Sequence, residues 1–247
     1  MSGFILTDDN YYTPEANQHY FSCSQFEEFM DCEAAALAHV QGRYAPPESD
    51  AFFLGKYFHS YFEGRDAFEA FCNDPENFGR IFKTKTTKSR GTEIIGKYAG
   101  PTQMDTMIHA AEDDVSIKKL IDMPGKTEVS MHGKLFNRYP WRIRLDKLIP
   151  DMNLIIDWKT VANIRELKYD SSQHKRVSFV ETYNYMFRAA IYSQIYKEYT
   201  GANMPLFWLV CVSKQDPPDK EVINLTHPQR YELELEKVSQ KIARFQA

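Results

Sequence analysis

Long apolar runs are missing from this sequence. It contains no stretch of about 18 apolar residues, the length that a membrane-spanning helix requires. Residues 1–20 are polar and acidic, without the charged start and apolar run of an export signal. We therefore expect a soluble, cytoplasmic protein that makes no membrane contact.

Cysteine is scarce as well. The four cysteines form no C-x-x-C pair and, with the histidines, show no zinc-finger spacing. They are Cys23, Cys32, Cys72 and Cys211. This pattern predicts reduced, mostly buried thiols rather than a structural zinc site or a disulfide framework.

Positive charge is low overall but unevenly distributed. The net charge of −4 argues against nucleic-acid binding through global positive charge. Between Arg80 and Lys97, however, six basic residues face one acid, Glu93. Phosphate contacts could be concentrated in this segment, with Lys85, Lys88 and Arg90 as candidates. The alternative is an ordinary solvated loop.

The length and the hydrophobic pattern predict one α/β domain spanning residues 1–247. A chain of 247 residues that is 43% hydrophobic can bury one large core. We expect a loosely ordered arm over residues 1–21, a core over residues 22–212 and a charged C-terminal helix over residues 228–247.

Apolar periodicity places the other elements. The expected helices are Ser22–Val40, Ala51–Gly64, Tyr183–Tyr199 and a helix or helix pair over Pro101–Met123. The expected strands are Glu128–Phe136, Trp141–Ile149, Leu154–Thr160 and Leu206–Val212. The last of these strands is apolar throughout, which is typical of a strand buried on both faces.

The segment Asp157-Trp158-Lys159-Thr160 follows an apolar run at the end of a predicted strand. Side chains alternate along a strand, so Asp157 and Lys159 point to one face and Trp158 to the other. An isolated D-x-K triplet is most often solvated surface charge. The hypothesis of a catalytic site therefore depends on what surrounds the triplet.

A second carboxylate is expected beside this triplet. Pro150-Asp151-Met152-Asn153 has the composition of a turn, and a hairpin closed there pairs Ile149 with Leu154. The same register sets Asp146 opposite Asp157, with Cβ atoms about 4.5–5.5 Å apart. Two like charges at this distance destabilise a sheet unless they are neutralised. A divalent cation such as Mg²⁺ or Mn²⁺ would neutralise them.

These motifs, taken in order, resemble those of the PD-(D/E)xK nucleases. Within that superfamily the chain is similar to phage exonucleases of the exonuclease VIII (RecE-like) type, which are related to lambda exonuclease and the RecB nuclease domain. The matching motifs, which extend from Ser22 to Val212, are Ser22-x-Ser24 with Phe29 and Cys32, Leu54-Gly55-Lys56-Tyr57-Phe58-His59, Asp146, Asp157-x-Lys159-Thr160 and Ala189-Ala190-x-Tyr192.

The resemblance implies a restriction-endonuclease-like core, in which helices flank a central mixed sheet. It also implies a metal site formed by His59, Asp146, Asp157 and the carbonyl of Trp158. Glu128 matches an acid that could bind a second metal or a metal-bound water, although a surface acid at a strand start is an equal alternative. For His59 the alternative is a core histidine packed among aromatic residues.

Two further expectations concern the chemistry and the packing around this site. Lys159 would orient or deprotonate the attacking water and stabilise charge on the phosphate. Gly55 lies one turn before His59, so we expect it to let the helix approach the sheet closely.

The resemblance also implies DNA contacts outside the metal site. Arg188 and Tyr192 share a helix face, and relatives commonly have glutamine in place of Arg188. An arginine there could hold a phosphate, or it could pair with a nearby acid. Thr160 and Ser24 complete the expected contacts.

The implied activity is metal-dependent degradation of one strand of linear duplex DNA, from the 5′ end. The remaining strand would pass to a single-strand annealing protein in phage-type recombination, and the subunits would form a homo-oligomeric ring. One alternative is a DNA endonuclease on the same core. A second is a DNA-binding module without activity, although such modules normally lose an acid or the lysine.

Overall fold

The structure, a computed structural model, describes residues 4–45, 47–88, 91–171 and 173–246. The helices are α1 (Pro14–His19), α2 (Cys23–Asp31), α3 (Glu33–Val40), α4 (Asp50–Glu63), α5 (Arg65–Asn73), α6 (Pro75–Ile81), α7 (Ala99–Glu112), α8 (Val115–Asp122), α9 (Phe179–Thr182), α10 (Tyr185–Thr200) and α11 (Pro228–Ile242). Short 3-10 segments cover Pro150–Met152 and Ala243–Gln246. Within the described ranges, no helix combines the length and the apolarity needed to cross a bilayer.

The strands form one central sheet and two small hairpins. They are β1 (Phe82–Thr87), β2 (Gly91–Lys97), β3 (Lys126–Leu135), β4 (Tyr139–Ile149), β5 (Leu154–Val161), β6 (Lys168–Asp170), β7 (Lys175–Val177), β8 (Leu206–Ser213) and β9 (Lys220–Asn224). The central sheet has the order β3-β4-β5-β8-β9. Its β5 and β8 run parallel, and the other neighbours are antiparallel.

Helices cover both faces of this sheet, which confirms the predicted fold class. One core contains Phe26 of α2, Ile191 of α10 and Val238 of α11. The core on the other side contains Phe58 of α4, Met107 of α7 and Ile117 of α8. Along β5, Ile155 lies in the first core and Ile156 and Trp158 in the second, as the predicted alternation requires.

Two of the predicted helices are interrupted, each by a local backbone feature. The segment Pro101–Met123 forms a helix pair, because the side chain of Asp114 caps α8 by accepting from the backbone N–H of Ser116 at 2.9 Å. The single helix expected over Ser22–Val40 is wrong. Cys32 takes an extended conformation, with φ −149° and ψ 102°, and separates α2 from α3.

The expectation of a loosely ordered N-terminal arm is also wrong for the described residues. Thr13 caps α1, and Leu6, Tyr11 and Ala16 are buried. Asp8 accepts a hydrogen bond from the backbone N–H of Ser130 on β3 at 3.0 Å. Contacts with the sheet order the arm, although the arm has no hydrophobic period of its own.

The basic segment forms the hairpin β1–β2 rather than a loop. Most of its residues are exposed, including Lys85 and, in the turn, Lys88. Arg90 lies outside the described residues. At the base of the hairpin, Lys97 donates to the Tyr57 hydroxyl at 2.8 Å and to Asp105 at 2.7 Å, so the hairpin is fixed to α4 and α7.

The four cysteines carry free thiols. Three of them are buried and Cys32 is exposed, in agreement with the predicted mostly buried thiols.

Gly55 does not pack in the way that the sequence suggested. A Cβ atom built at this position would meet no heavy atom within 4 Å. The packing of α4 against the sheet therefore does not depend on the absence of a side chain at Gly55.

We therefore expect Gly55→Ala to raise the free energy of unfolding by about 0.5–1 kcal/mol, since glycine inside a helix costs about that much relative to alanine. Urea denaturation of both proteins measures the difference. A clear loss of stability would instead point to a packing role for the glycine.

Candidate functional site

Three side chains from three elements converge at one side of the sheet. His59 of α4, Glu128 of β3 and Asp146 of β4 each place one ligand atom within 4.8 Å of the others, and all three residues are partly buried. Stacking between Phe62 and Trp158, at 4.4 Å between ring centroids and an interplanar angle of 17°, holds α4 against β5. This contact positions His59 over the strands that carry the acids.

The β4–β5 hairpin follows the predicted register near its turn. Lys147 pairs with Ile156, Leu148 with Ile155 and Ile149 with Leu154. Beyond these three pairs, a side chain rather than the backbone of β4 bonds to β5. The Oδ2 atom of Asp146 accepts a hydrogen bond from the backbone N–H of Trp158 at 2.8 Å.

Alternation along β4 changes at the same place. Leu145 and Leu148 both lie in one core, so the pattern shifts by one residue between them, at Asp146-Lys147. The two strands therefore lose regular pairing where the two acids lie, and the predicted cross-strand pair of Asp146 with Asp157 is not among the pairs that β4 and β5 form.

Asp146 Oδ2 is a shared contact of two neighbouring groups. It lies 3.3 Å from His59 Nδ1 and 3.8 Å from Lys159 Nζ. The Lys159 ammonium also lies 2.7 Å from Asp157 Oδ2 and donates to the Trp158 carbonyl at 2.9 Å. The ammonium thus contacts the oxygen ligands that the resemblance implied, while Asp157 lies outside the His59–Glu128–Asp146 group.

The protonation of His59 and Asp146 suits metal binding. Burial lowers the pKa of His59, although Asp146 opposes this shift, so the imidazole is neutral at neutral pH and can act as a ligand. Burial on its own would raise the pKa of Asp146. His59, Lys159 and the Trp158 N–H outweigh that effect and hold the pKa below its usual value, so the carboxylate is ionised.

Glu128 lies at the site in an unusual backbone conformation. Its φ is +51°, in the left-handed region that residues other than glycine rarely adopt. Backbone strain of this kind is concentrated at functional sites. Arg144 Nε donates to Glu128 Oε2 at 2.5 Å. Burial and the charge of Asp146 nevertheless raise the pKa of Glu128 to about 7. With a side chain only 20% exposed, Glu128 is not a freely solvated surface acid.

Arg188 extends the positive charge beside the acids. Burial opposes its charge, but nearby groups, Tyr192 first and then Cys23, Asp157 and Glu27, raise the pKa of its guanidinium. Arg188 is close enough to Asp157 and Glu27 to interact with both electrostatically, which is compatible with both predicted alternatives, pairing with an acid and holding a phosphate. Its guanidinium carbon is 5.9 Å from the centre of the Tyr192 ring.

The other predicted DNA contacts lie in different environments. Tyr192 is 7% exposed and packs against Phe207 in the core, at 6.1 Å between centroids, so this residue is a core residue and the DNA contact predicted for it is not supported. Thr160 is partly buried on β5, and Ser24 is exposed in the first turn of α2. Lys85 and Lys88 lie on the separate β1–β2 hairpin.

Two residues beside Glu128 were not among the predicted site residues. Arg144 pairs with it, and the ring of Tyr12 lies 5.3 Å from the Arg144 guanidinium carbon. A signal for Arg144 exists in the sequence, since it stands two positions before Asp146 in an alternating strand. No comparable signal exists for Tyr12, which comes from the arm.

The donor set fits a divalent cation. A neutral imidazole and an ionised carboxylate lie together with a second carboxylate, and such oxygen-rich sets bind hard divalent metals. A cation held there would supply Lewis-acid stabilisation of a negatively charged group and would activate a water molecule.

Residues 22–247 match the family described as "PDDEXK-like domain of unknown function (DUF3799)". The chain belongs to this family. The match agrees with the sheet, the D-x-K triplet and the acid cluster described above, and it identifies the fold as that of the PD-(D/E)xK nucleases.

One solved structure is similar over nearly the whole chain. The chain is similar to a protein from Eubacterium rectale that carries the name "Putative exonuclease", with 29% identity, a TM-score of 0.83, and coverage of 98% of this chain and 86% of that one. A second structure, SSO0001, covers 88% of this chain and 86% of its own at 10% identity. Its TM-score of 0.32 is too low to carry an argument. No curated protein matches the chain.

Proposed function

We propose that this chain is a metal-dependent exodeoxyribonuclease that degrades one strand of linear double-stranded DNA, from 5′ to 3′. The observation that carries the proposal is the convergence of His59, Asp146 and Lys159 with two further acids at the point where β4 and β5 separate. The similarity to the Eubacterium rectale protein supports exonuclease activity in particular.

Each residue has a defined task in this proposal. His59, Asp146, Asp157, Glu128 and the Trp158 carbonyl would hold Mg²⁺ or Mn²⁺, which neutralises charge on the phosphate. Lys159 would orient the attacking water or, as a neutral amine, accept its proton, and the ammonium so formed would stabilise the charge that develops on the phosphate. The reaction would leave 5′-phosphate and 3′-hydroxyl ends.

Assembly and partners are part of the same proposal. Copies of the chain would form a homo-oligomeric ring around the DNA, with α11 as one contact surface. The single strand left behind would pass to an annealing protein in phage-type recombination. Light scattering of the purified protein measures the subunit number, and a monomer under all conditions would contradict the ring.

The deciding experiment measures nucleotide release from linear duplex DNA labelled at the 5′ or the 3′ end. We expect release in Mg²⁺ that starts at the 5′ end, stops on chelation and is absent in Lys159→Ala. Equal release by the variant and the natural chain would contradict the assignment. Covalently closed circular duplex serves as the control substrate, since only the endonuclease alternative cuts it.

The exposed hairpin β1–β2 supplies the clearest prediction for binding. A two-stranded ribbon fits the major groove, and the exposed ammonium groups of Lys85 and Lys88 are suited to phosphate contact. Replacing both by alanine is expected to reduce the slope of log K against log salt by about 2, since each lysine that neutralises a phosphate contributes about 1 to the slope.

This binding measurement uses the Lys159→Ala background, so that the DNA is not degraded. Lys119→Ala, which removes an exposed lysine on α8, is the matched control and should leave the slope unchanged. An unaltered slope in the Lys85/Lys88 double variant would mean that the hairpin does not contact the DNA backbone.

A further inference from the structure

The N-terminal arm docks directly beside the acid cluster. Asp8 accepts from the N–H of Ser130 at 3.0 Å, and its carbonyl accepts from Arg144 Nη1 at 3.0 Å. Ser130 and Arg144 are paired across β3 and β4. They stand two residues from Glu128 and Asp146 respectively, so the arm is anchored next to the candidate ligands.

A second set of contacts keeps the arm in place. The Arg142 guanidinium carbon lies 4.8 Å from the centre of the buried Tyr11 ring, and Arg142 Nη2 donates to Asn17 Oδ1. Tyr12 therefore lies between residues that are bound to the sheet, Asp8 and Tyr11 before it and Asn17 after it, and these contacts restrict its position.

Tyr12 itself is exposed although it is held on two sides. The residue is 74% exposed, while its ring packs edge-on against Tyr11 at 4.9 Å and lies 5.3 Å from the Arg144 guanidinium carbon. It is also close enough to Glu128 and Asp146 to interact with them electrostatically. The ring therefore contributes little to the core, and it presents an aromatic surface beside the proposed metal site.

An exposed aromatic ring next to the metal site of a proposed nuclease is suited to one class of ligand. Nucleobases stack on aromatic side chains with little dependence on sequence, since every base has a π-face. A neighbouring arginine adds a cation for the phosphate backbone.

We propose that Tyr12 is a stacking platform for one unpaired base of the strand being cleaved, with Arg144 as its positioning residue. This inference rests on the proposed nuclease function and adds a substrate contact from outside residues 22–247, the region that matches the family. The Eubacterium rectale structure covers 98% of the chain, so its similarity extends into the arm.

The test combines protein variants with abasic DNA. Oligonucleotide substrates lacking the base at one position at a time are digested by the natural chain, Tyr12→Ala, Tyr12→Phe and the control Tyr44→Ala. Tyr44 is an exposed tyrosine in the linker between α3 and α4.

For the natural chain we expect one abasic position to raise KM about 10-fold, the size of one base–aromatic stacking interaction, with kcat little changed. Tyr12→Ala should show the same increase on intact DNA and no further increase at that position. Tyr12→Phe and Tyr44→Ala should behave like the natural chain.

Three outcomes would overturn the inference. One is a natural chain that is insensitive to every abasic position. Another is a loss in Tyr12→Ala that adds fully to the abasic effect at all positions, which would show that Tyr12 only supports Arg144. The third is faster turnover in Tyr12→Ala, which would show that the arm covers the site.

A binding measurement separates this inference from the proposed function. Quenching of a 2-aminopurine base by stacking is recorded in EDTA, where no hydrolysis occurs. We expect the quenching to fall in Tyr12→Ala and to persist in Tyr12→Phe. If the natural chain releases no nucleotides with Mg²⁺ or Mn²⁺, the proposed function fails, and this readout still decides the stacking. Equal quenching by the natural chain and Tyr12→Ala would overturn the stacking inference in either case.

Discussion

Replacing Lys159 by methionine is expected to lower the rate of DNA hydrolysis about 10³-fold while divalent-metal binding is retained. The ammonium lies 2.7 Å from Asp157 Oδ2, 2.9 Å from the Trp158 carbonyl and 3.8 Å from Asp146 Oδ2. Methionine fills a similar volume without charge or donors, so it removes the group that would move a proton and stabilise the phosphate. It removes none of the proposed ligands.

The same change should alter stability in a metal-dependent way. Asp157 is only 2% exposed, and a buried carboxylate that loses its partner destabilises the folded state. We expect Lys159→Met to melt at a lower temperature than the natural chain in EDTA and to recover most of the difference with Mn²⁺.

Single-turnover hydrolysis and calorimetric Mn²⁺ titration test these two parts separately. Lys126→Met, at an exposed lysine on β3, is the matched control and should resemble the natural chain in both. Hydrolysis by Lys159→Met at the natural rate would remove this lysine from the chemistry.

The part of the site carried by β4 and β5 could be predicted from sequence because it depends on local rules. Alternation fixes which face Ile155 and Trp158 occupy, and the four-residue turn fixes the register of the three pairs next to it, starting with Ile149 and Leu154. These short-range constraints are sufficient to bring Asp146 beside the D-x-K triplet.

The environments of the arm, Tyr192 and Gly55 were predicted wrongly, because distant parts of the chain determine them. The arm is ordered by contacts of Tyr11 and Asp8 with β3 and β4, which no periodicity of its own could indicate. Tyr192 shares a helix face with Arg188, yet the packing of α10 on Phe207 turns its ring into the core. Gly55 has open space where close packing was expected.

The structure also provides positive charges beside the two acids without any metal. From sequence, two facing acids required a cation, and a metal was the obvious one. In the structure, Lys159 contacts both carboxylates and Arg188 lies near Asp157. Neutralisation of the acids alone therefore no longer requires a metal. A metal is indicated instead by His59 and Glu128, whose ligand atoms lie within 4.8 Å of a carboxylate oxygen of Asp146.

Asp146→Asn is the variant that tests the His59–Glu128–Asp146 group, and it is expected to lose both metal binding and hydrolysis. Asparagine keeps an oxygen that can accept from the Trp158 N–H, so the contact between β4 and β5 persists and the fold is retained. It removes the negative charge that His59 and Lys159 both face. Mn²⁺ affinity should fall by more than about 100-fold, beyond the loss typical of residues that only support a ligand, and turnover by at least about 10³-fold.

The contrast between the two variants separates a metal ligand from a residue that acts on water and phosphate. Lys159→Met should keep Mn²⁺ affinity and lose turnover, whereas Asp146→Asn should lose both. Asp151→Asn, an exposed acid in the turn of the same hairpin, controls for the general effect of removing one charge and should change neither. If Asp146→Asn binds Mn²⁺ as tightly as the natural chain, the His59–Glu128–Asp146 group is not the metal site. The acids would then serve chiefly to hold the lysine, and a metal-dependent reaction would have to be assigned to other ligands.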